Sequence, residues 1–447
     1  RNLSICPGSS SGQDVKILRN LPRFRNARRD LLQLADRENW TRDQIRDRQL
    51  TAINRLWRSA CTEVPYYRLL ANEAKLPPSF DSLEAFSALL PTLDKKLVRG
   101  RPDEFLSTNP ARGSWHRTGG STGTPMKVFW EKSAHLESLR AKYRMLQQWN
   151  IDFFDRSTFL WGHSGSVAPG FAGFKQRVRR PIEDHLRNRL RLSAYRLGQD
   201  DLDDHLDRMI RFRPVSLYGY SSAVTLLARR LMEQSRTVPS LRLVILTAEP
   251  ADAGMQRLVG DAFGCDAAIE YGSVECGVIA YGFPAGTLRI REAFVNVETT
   301  VNQLGTQDLV VTVLNNPTFP LIRYRIGDTT SIPSRFPKTG MAILEDVAGR
   351  MNDILISRSG RRVHSLAVKH VLEHYPAIRR FRAHQKADGR LQVVIETKSA
   401  DAISTSRLSQ ALTGLLEGYP VGVEFVDQIR GNLAGKHRWV ISDMVER

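Results

Sequence analysis

The chain has 447 residues, of which 41% are hydrophobic and 25% are charged. These proportions are typical of a soluble globular protein, and they exclude a disordered chain, a collagen-like repeat and a coiled coil. The excess of Lys and Arg gives a formal net charge of +18, and no apolar run approaches the roughly 18 residues of a membrane helix, so we expect no transmembrane segment.

The first predicted elements are helices, which dominate residues 15–100 and include two capping signals. A loop rich in Gly, Ser and Thr follows, and Met126–Trp130 is predicted to be a strand. Strands and helices then alternate, which predicts parallel sheets of the α/β type. These elements are a strand Thr158–Trp161, a helix 200–212, a strand Val215–Tyr218, a helix 221–235, a strand Leu241–Leu246, a helix 251–263 and a strand Ala267–Tyr271.

The pattern of predicted elements changes again towards the C-terminus. Residues 286–332 are rich in predicted strands, and a compact α+β unit follows Gly349. This change predicts a domain boundary near residue 349. The elements expected after it are a strand Asp353–Ser357, a helix 365–374, a strand 391–396, a helix 404–417 and a strand 423–427.

Basic side chains are concentrated in residues 1–60 and in a cluster within residues 175–191. Positive surfaces attract polyanions such as nucleotides, nucleic acids or anionic membranes. Since no RNA-recognition, helix-turn-helix or zinc-finger signature occurs, we expect no specific nucleic-acid partner. Four cysteines without a CxxC pair exclude a disulfide framework, so we expect a reducing, cytoplasmic location.

The segment from Arg117 to Lys127 contains three glycines, four hydroxyl side chains and the terminal lysine. Glycines allow close backbone approach, while the hydroxyl and ammonium groups donate hydrogen bonds, so this composition suits a loop that cradles a polyphosphate. The spacing of a Walker loop is absent.

Four further segments place charged groups beside glycines. Glu275 comes shortly after a predicted strand, and a carboxylate there can ligate Mg²⁺ together with phosphate oxygens. Asp328 follows a glycine turn and can accept both hydroxyls of a ribose. The other two segments are Gly349–Asp353 and Gly431–Lys436.

These five segments, in this order, resemble the adenylate-forming superfamily of acyl-CoA synthetases, adenylation domains and luciferases. The phenylacetate-CoA ligase and coenzyme F390 synthetase group, with its capsule-biosynthesis-associated branch, is the most similar. The segments that carry this closer resemblance are Val64–Arg68, Ser193–Tyr195 and Pro320–Asp328. The resemblance implies an α/β fold with a large N-terminal adenylation domain of stacked sheets and helices, residues 1–348, and a small mobile α+β lid domain, residues 349–447.

The resemblance also implies which residues bind ATP. The phosphate loop would supply Ser121, Thr122, Gly123, Thr124 and Lys127. The adenine pocket would be lined by Ala248, Glu249 and Pro250, with Tyr271 against the base, and Gly272 would also bind the nucleotide. Asp328 would bind the ribose, and Arg350 would lie near the nucleotide.

Three residues are implied to be catalytic. Lys436 would bridge the carboxylate and the α-phosphate, while Glu275 and Thr122 would hold Mg²⁺. The hinge would lie near residues 349–353, at Asn352 and Asp353. Asn-Asp stands where the resembling proteins usually have Asp-Asp or a lysine.

A pocket for the acyl group is expected where a strand turns into a helix at Gly219–Ala223, with Trp161–His163 as a second candidate. The residues predicted to line it are Trp161, His163, Tyr218, Tyr220 and Ser221. No histidine occurs in 277–291, unlike the His-rich stretch of phenylacetate-type ligases, which argues against an arylacetate substrate.

The function that the resemblance implies is ATP-dependent activation of a carboxylic acid as an acyl-adenylate, followed by transfer to a thiol, that of CoA by default. The expected cofactors are therefore ATP, Mg²⁺ and CoA. Two alternatives stay open: an amide-forming ligase that uses an amine acceptor in polysaccharide or natural-product biosynthesis, and a non-catalytic nucleotide-binding scaffold subunit. Whether the chain forms a homodimer is also open.

Overall fold

The computed structural model describes residues 40–444 with gaps. The segments outside the described residues are 119–125, 153, 162–182, 186, 195–196, 198, 284–286, 302–306, 331–333, 345–346, 348, 351–353, 361, 365–367, 369–370, 373–374, 376 and 430–439. Among the described residues, no helix combines the length and the apolar character needed to cross a membrane.

A helical layer opens the described region, as predicted. It consists of α1 (Arg42–Glu63), α2 (Pro65–Glu73), α3 (Leu83–Leu89), α4 (Lys95–Gly100) and a 3-10 helix, Pro102–Phe105. Helix α1 begins at a capping box, in which the side chains of Thr41 and Gln44 each accept from the other's backbone N–H. Its buried Trp57 donates an indole N–H to the Pro77 carbonyl at 2.8 Å, which ties the helix to the loop after α2.

An antiparallel hairpin follows, made of β1 (Gly113–Arg117) and β2 (Lys127–Glu131), and leads into α5 (Lys132–Gln147). The sequence analysis predicted the second strand and missed the first. Most residues of β1 are exposed, so pairing with β2 rather than an apolar face defines this strand.

The central sheet has seven described strands in the order β4-β3-β5-β6-β7-β8-β9. The strands are β3 (Ser157–Trp161), β4 (Arg189–Ser193), β5 (Ser216–Tyr220), β6 (Leu243–Thr247), β7 (Asp266–Ser273), β8 (Gly277–Gly282) and β9 (Leu288–Ile290). Strands β3 to β7 are parallel, as predicted, whereas β8 and β9 are antiparallel. The connecting helices are α6 (Gln199–Phe212), α7 (Ser221–Glu233) and α8 (Ala253–Phe263), and separate apolar clusters cover the two faces.

A second, antiparallel sheet has the order β10-β11-β12-β13. Its strands are β10 (Val295–Val301), β11 (Gln307–Val313), β12 (Tyr324–Thr330) and β13 (Gly349–Arg350). The expectation that Asp328 follows a glycine turn was wrong, since Asp328 lies within β12. Gly327 has a φ of +89° there, and the pairing of β11 with β12 is irregular, so the glycine disturbs the strand without ending it.

The C-terminal region contains a hairpin and a four-stranded sheet in the order β18-β17-β16-β19. Its elements are β14 (Ile354–Ile356), β15 (Arg362–His364), β16 (Arg380–Gln385), β17 (Leu391–Glu396), a 3-10 helix Ala400–Ala402, α9 (Thr405–Leu415), β18 (Val421–Val426) and β19 (Val440–Ser442). A separate apolar core lies between this sheet and α9. A large N-terminal region and a small α+β C-terminal region therefore confirm the predicted α/β fold class.

Candidate active site

The hairpin turn between β7 and β8 positions Glu275. The Trp130 indole N–H donates to the Val274 carbonyl at 2.8 Å, and the Cys276 backbone N–H donates to Ser273 Oγ at 3.1 Å. Gly272 fits here because a Cβ atom at this position would lie 2.2 Å from the Gly277 carbonyl oxygen. The chain folds so tightly at this point that the Glu275 side chain is buried, with 2% of it exposed.

Two side chains from distant segments contact Glu275. Lys95 Nζ lies 2.7 Å from Glu275 Oε1, and the Tyr324 hydroxyl donates to the same oxygen at 3.3 Å. Lys95 is the first residue of α4, and the preceding Leu93 forms a parallel bridge with Tyr324. Strand β12 therefore positions both partners of this carboxylate.

Lys95 was not among the site residues predicted from the sequence. Its signal was a cation at the first residue of a helix, where the helix dipole favours an anion. A lysine in such a locally unfavourable position indicates that a partner elsewhere in the chain stabilises it. Here that partner is Glu275.

Tyr271 and Asp328 lie together, as expected for residues of one nucleotide site. The Tyr271 hydroxyl donates to Asp328 Oδ2 at 2.7 Å. Asp328 is buried, and its Cα atom pairs in register with that of Arg350 on β13. Three segments separated by up to 79 residues of sequence thus meet at one point.

Thr118 and Met126, near the two ends of the predicted phosphate loop Arg117–Lys127, are hydrogen-bonded to each other. The Thr118 backbone N–H donates to the Met126 carbonyl, and the Met126 N–H donates to Thr118 Oγ1, both at 3.0 Å. Lys127 is exposed on β2 opposite Arg117. The other predicted residues, Ser121, Thr122, Gly123 and Thr124, lie outside the described residues, as do Lys436, Asn352, Asp353 and His163.

The predicted adenine segment is fixed against the start of α7. Glu249 Oε2 accepts from the Ser222 backbone N–H at 2.9 Å, and the Ser221 hydroxyl donates to the Glu249 carbonyl at 3.2 Å. A carboxylate at a helix N-terminus is favourable because the unpaired N–H groups and the helix dipole are positive there. Ala248 has a φ of +65° and Pro250 is exposed, so the chain turns sharply at this segment.

The predicted pocket residues of β3 and β5 form an aromatic cluster. The ring centroids of Trp161 lie 5.5 Å from Tyr218 and 4.2 Å from Tyr220. Ser221, which follows directly, contacts the adenine segment. The structure therefore brings together the described residues of the predicted acyl pocket and joins them to the predicted nucleotide segment.

A buried polar group that was not predicted from the sequence adjoins this cluster. The Tyr218 hydroxyl donates to Glu270 Oε1 at 2.6 Å and accepts from Lys142 Nζ at 2.7 Å. Burial, followed by the charge of Glu270, raises the pKa of Tyr218 well above its ordinary value. The sequence does contain one indication of this group. Glu270 is an acidic residue within the otherwise apolar strand segment before Tyr271.

Hydrogen bonds between described residues join the C-terminal region to the helices that cover the central sheet. Lys398 Nζ donates to Gln199 Oε1 at 2.6 Å, and Arg229 donates to the Ile378 carbonyl at 3.5 Å. Gln199 lies on α6 and Arg229 lies on α7.

No family model matches the chain. Protein CapK of Staphylococcus aureus is 26% identical over 282 residues, and this match spans 60% of each chain.

Solved structures give a longer match. 2-Hydroxyisobutyryl-CoA ligase in the postadenylation state, in complex with 2-HIB-AMP, is 18% identical, covers 91% of both chains and has a TM-score of 0.71. The same ligase in the thioesterification state, with 2-HIB-AMP and CoA, has a TM-score of 0.60 at equal identity and coverage. The chain therefore has the fold of the adenylate-forming CoA ligases.

Proposed function

We propose that this protein activates a carboxylic acid with ATP as an acyl-adenylate and transfers the acyl group to CoA. The observation that carries this proposal is the contact of Tyr271 with Asp328, which lies on the same strand as the Glu275 partner Tyr324, within this fold. Tyr271 would lie against the adenine and Asp328 would bind the ribose hydroxyls. Because Tyr271 already donates to one oxygen of Asp328, the carboxylate is oriented before the nucleotide arrives.

The described residues are compatible with a Mg²⁺ ion that is bound by the Glu275 carboxylate and by the phosphates of ATP. Among the described residues, no group of three or more His, Cys, Asp or Glu side chains could hold a metal. Mg²⁺ commonly binds through one or two carboxylates and the phosphates of a nucleotide, which matches a single buried glutamate. When bound, the ion would neutralise phosphate charge, and Thr122 would add a hydroxyl oxygen.

The chemistry that follows requires positioning and charge neutralisation. A substrate carboxylate oxygen attacks the α-phosphorus, the bond to the β-phosphate oxygen breaks, and pyrophosphate leaves. Lys436 would neutralise both the carboxylate and the α-phosphate during this step. The C-terminal region would then rotate about Asn352 and Asp353, with the domain boundary near residue 349, and the CoA thiol would displace AMP.

ATP–pyrophosphate exchange, measured with a panel of carboxylic acids, tests the first half-reaction. We expect exchange with the wild-type protein, its loss in Asp328→Ala, and its retention in the matched control Asp388→Ala, which alters an exposed turn. Lys436→Ala should abolish exchange while still transferring an acyl group from a presynthesised adenylate. An absence of exchange in a protein that binds ATP would favour a nucleotide-binding scaffold and overturn the proposal.

The acceptor is tested by analysing products with CoA and with amines. A thioester that forms only with CoA supports the proposed acceptor. Amide formation without thioester formation would instead identify an amide-forming ligase.

A further inference from the structure

The register of the central sheet aligns four side chains across neighbouring strands. Tyr220 on β5 pairs with Thr247 on β6, Thr247 pairs with Glu270 on β7, and Glu270 pairs with Tyr281 on β8. Trp161 on β3 extends this row through its contact with Tyr220. The row crosses the sheet near the carboxyl ends of the parallel strands, where open α/β sheets bind ligands.

Glu270 is the only acid in this row, and its hydrogen bonding is incomplete. The residue is 6% exposed, and Oε1 accepts from the Tyr218 hydroxyl. The second oxygen, Oε2, is buried and has no hydrogen-bond partner among the residues that the structure describes. A buried acceptor without a donor is costly, so a ligand that supplies the donor gains a large advantage over one that does not.

The charge around Glu270 indicates what kind of donor is missing. Lys142 Nζ lies 3.5 Å from Glu270 Oε1, which already balances the negative charge. A second cation, Arg291, is also buried, and Glu270 is among the groups whose charge acts on it. Because Lys142 already balances the charge of Glu270, a neutral donor such as a hydroxyl fits better than an ammonium group.

We propose that Glu270 recognises a hydroxyl or another neutral hydrogen-bond donor on the acyl part of the substrate, beside the aromatic surface of Trp161 and Tyr220. The substrate would therefore be a hydroxylated carboxylic acid rather than a purely hydrocarbon acid. This inference rests on the proposed function, because it assigns the substrate class of the same site. The alternative is that a buried water donates to Oε2. In that case the water would stay in place whichever acid binds, and hydroxylated acids would have no advantage.

Matched pairs of acids test this assignment, since the two members differ only by a hydroxyl. The pairs are 3-hydroxybutyrate and butyrate, 4-hydroxybenzoate and benzoate, and 4-hydroxyphenylacetate and phenylacetate. Binding is measured from the shift in melting temperature with α,β-methylene-ATP, and adenylation from ATP–pyrophosphate exchange. In the wild-type protein we expect one hydroxylated acid to exceed its partner in kcat/KM by about 10- to 100-fold.

The test variant is Glu270→Gln, which keeps an acceptor for Tyr218 and the shape of the side chain. It should reduce that preference by about tenfold or more while leaving the affinity for the ATP analogue unchanged. The matched control is Glu137→Gln, which removes a negative charge from α5, the helix that carries Lys142, and should keep the preference.

The two readouts separate the inference from the proposed function. Exchange that is equal within every pair overturns the inference and leaves the proposed function standing. Melting shifts that favour a hydroxylated acid without any exchange support the Glu270 site and overturn adenylation. An absence of both shifts and exchange with every acid overturns both.

Discussion

Lys95 Nζ and Glu275 Oε1 lie 2.7 Å apart, with 29% of the lysine side chain and 2% of the glutamate side chain exposed. The lysine thus neutralises the carboxylate that we assign to Mg²⁺. Removing one partner of a buried ion pair leaves an uncompensated charge, whereas a metal ion could take over the role of the lysine.

Lys95→Ala should therefore destabilise the protein without Mg²⁺, by about 1–3 kcal/mol because the lysine is partly exposed. Addition of MgATP should restore more stability to this variant than to the wild type. Thermal unfolding with and without MgATP measures both effects. Lys96→Ala, at the exposed neighbouring position, is the control, and equal behaviour of the two variants would contradict the role of Lys95.

Tyr271→Phe should weaken ATP binding, because it removes the hydroxyl that orients Asp328 while keeping the aromatic ring. We expect a loss of about 1 kcal/mol, close to that of one hydrogen bond, measured by calorimetric titration with ATP. Tyr419→Phe in the C-terminal region is the control. An unchanged ATP affinity in Tyr271→Phe would separate this contact from the nucleotide site.

Gly272→Ala should disturb the hairpin that carries Glu275. Its new Cβ atom would lie 2.2 Å from the Gly277 carbonyl oxygen, and the overpacking should cost about 1–3 kcal/mol. The Mg²⁺ concentration needed for activity should also rise. Gly414→Ala in α9, where no atom lies within 4 Å of the added group, should be tolerated, and equal melting temperatures of the two variants would contradict this account.

The thiols of the half-buried Cys61 and Cys265 and of the buried Cys276 should be unreactive at pH 8. Burial raises the pKa of Cys61 to about 11 and that of Cys265 to about 12, and it raises the pKa of Cys276 well above its ordinary value. Since the thiolate is the reactive form, a higher pKa means less reaction at a given pH. Iodoacetamide labelling followed by peptide mass analysis should show modification of these residues only after unfolding, and rapid labelling of Cys276 in the native protein would contradict its burial.

The sequence indicated residues whose chemistry is visible within one short segment. Glu275, Tyr271 and Asp328 stand in short segments that contain glycines, so a local pattern could predict them. Lys95 and Glu270 act through partners 180 and 52 positions away. Their roles depend on which strands become neighbours and in which register they pair. No short stretch of sequence contains that information.

Strand β12 illustrates the same limit within the fold. Gly327 suggested a turn, because glycine is favoured where φ is positive. Pairing with β11 and β13 on both sides nevertheless holds the segment in the sheet. Tertiary pairing outweighed the local preference, and the positive φ remains as an irregularity beside Asp328.

Strand β12 also carries both Tyr324, which contacts Glu275, and Asp328, which contacts Tyr271. The metal and ribose positions that we propose are thus attached to one short segment of backbone. A ligand that restricts one end of this segment lowers the conformational entropy of the whole segment. The second ligand then loses less entropy when it binds at the other end. By thermodynamic linkage, any factor by which Mg²⁺ strengthens nucleotide binding equals the factor by which the nucleotide strengthens Mg²⁺ binding, so the two should bind with positive cooperativity.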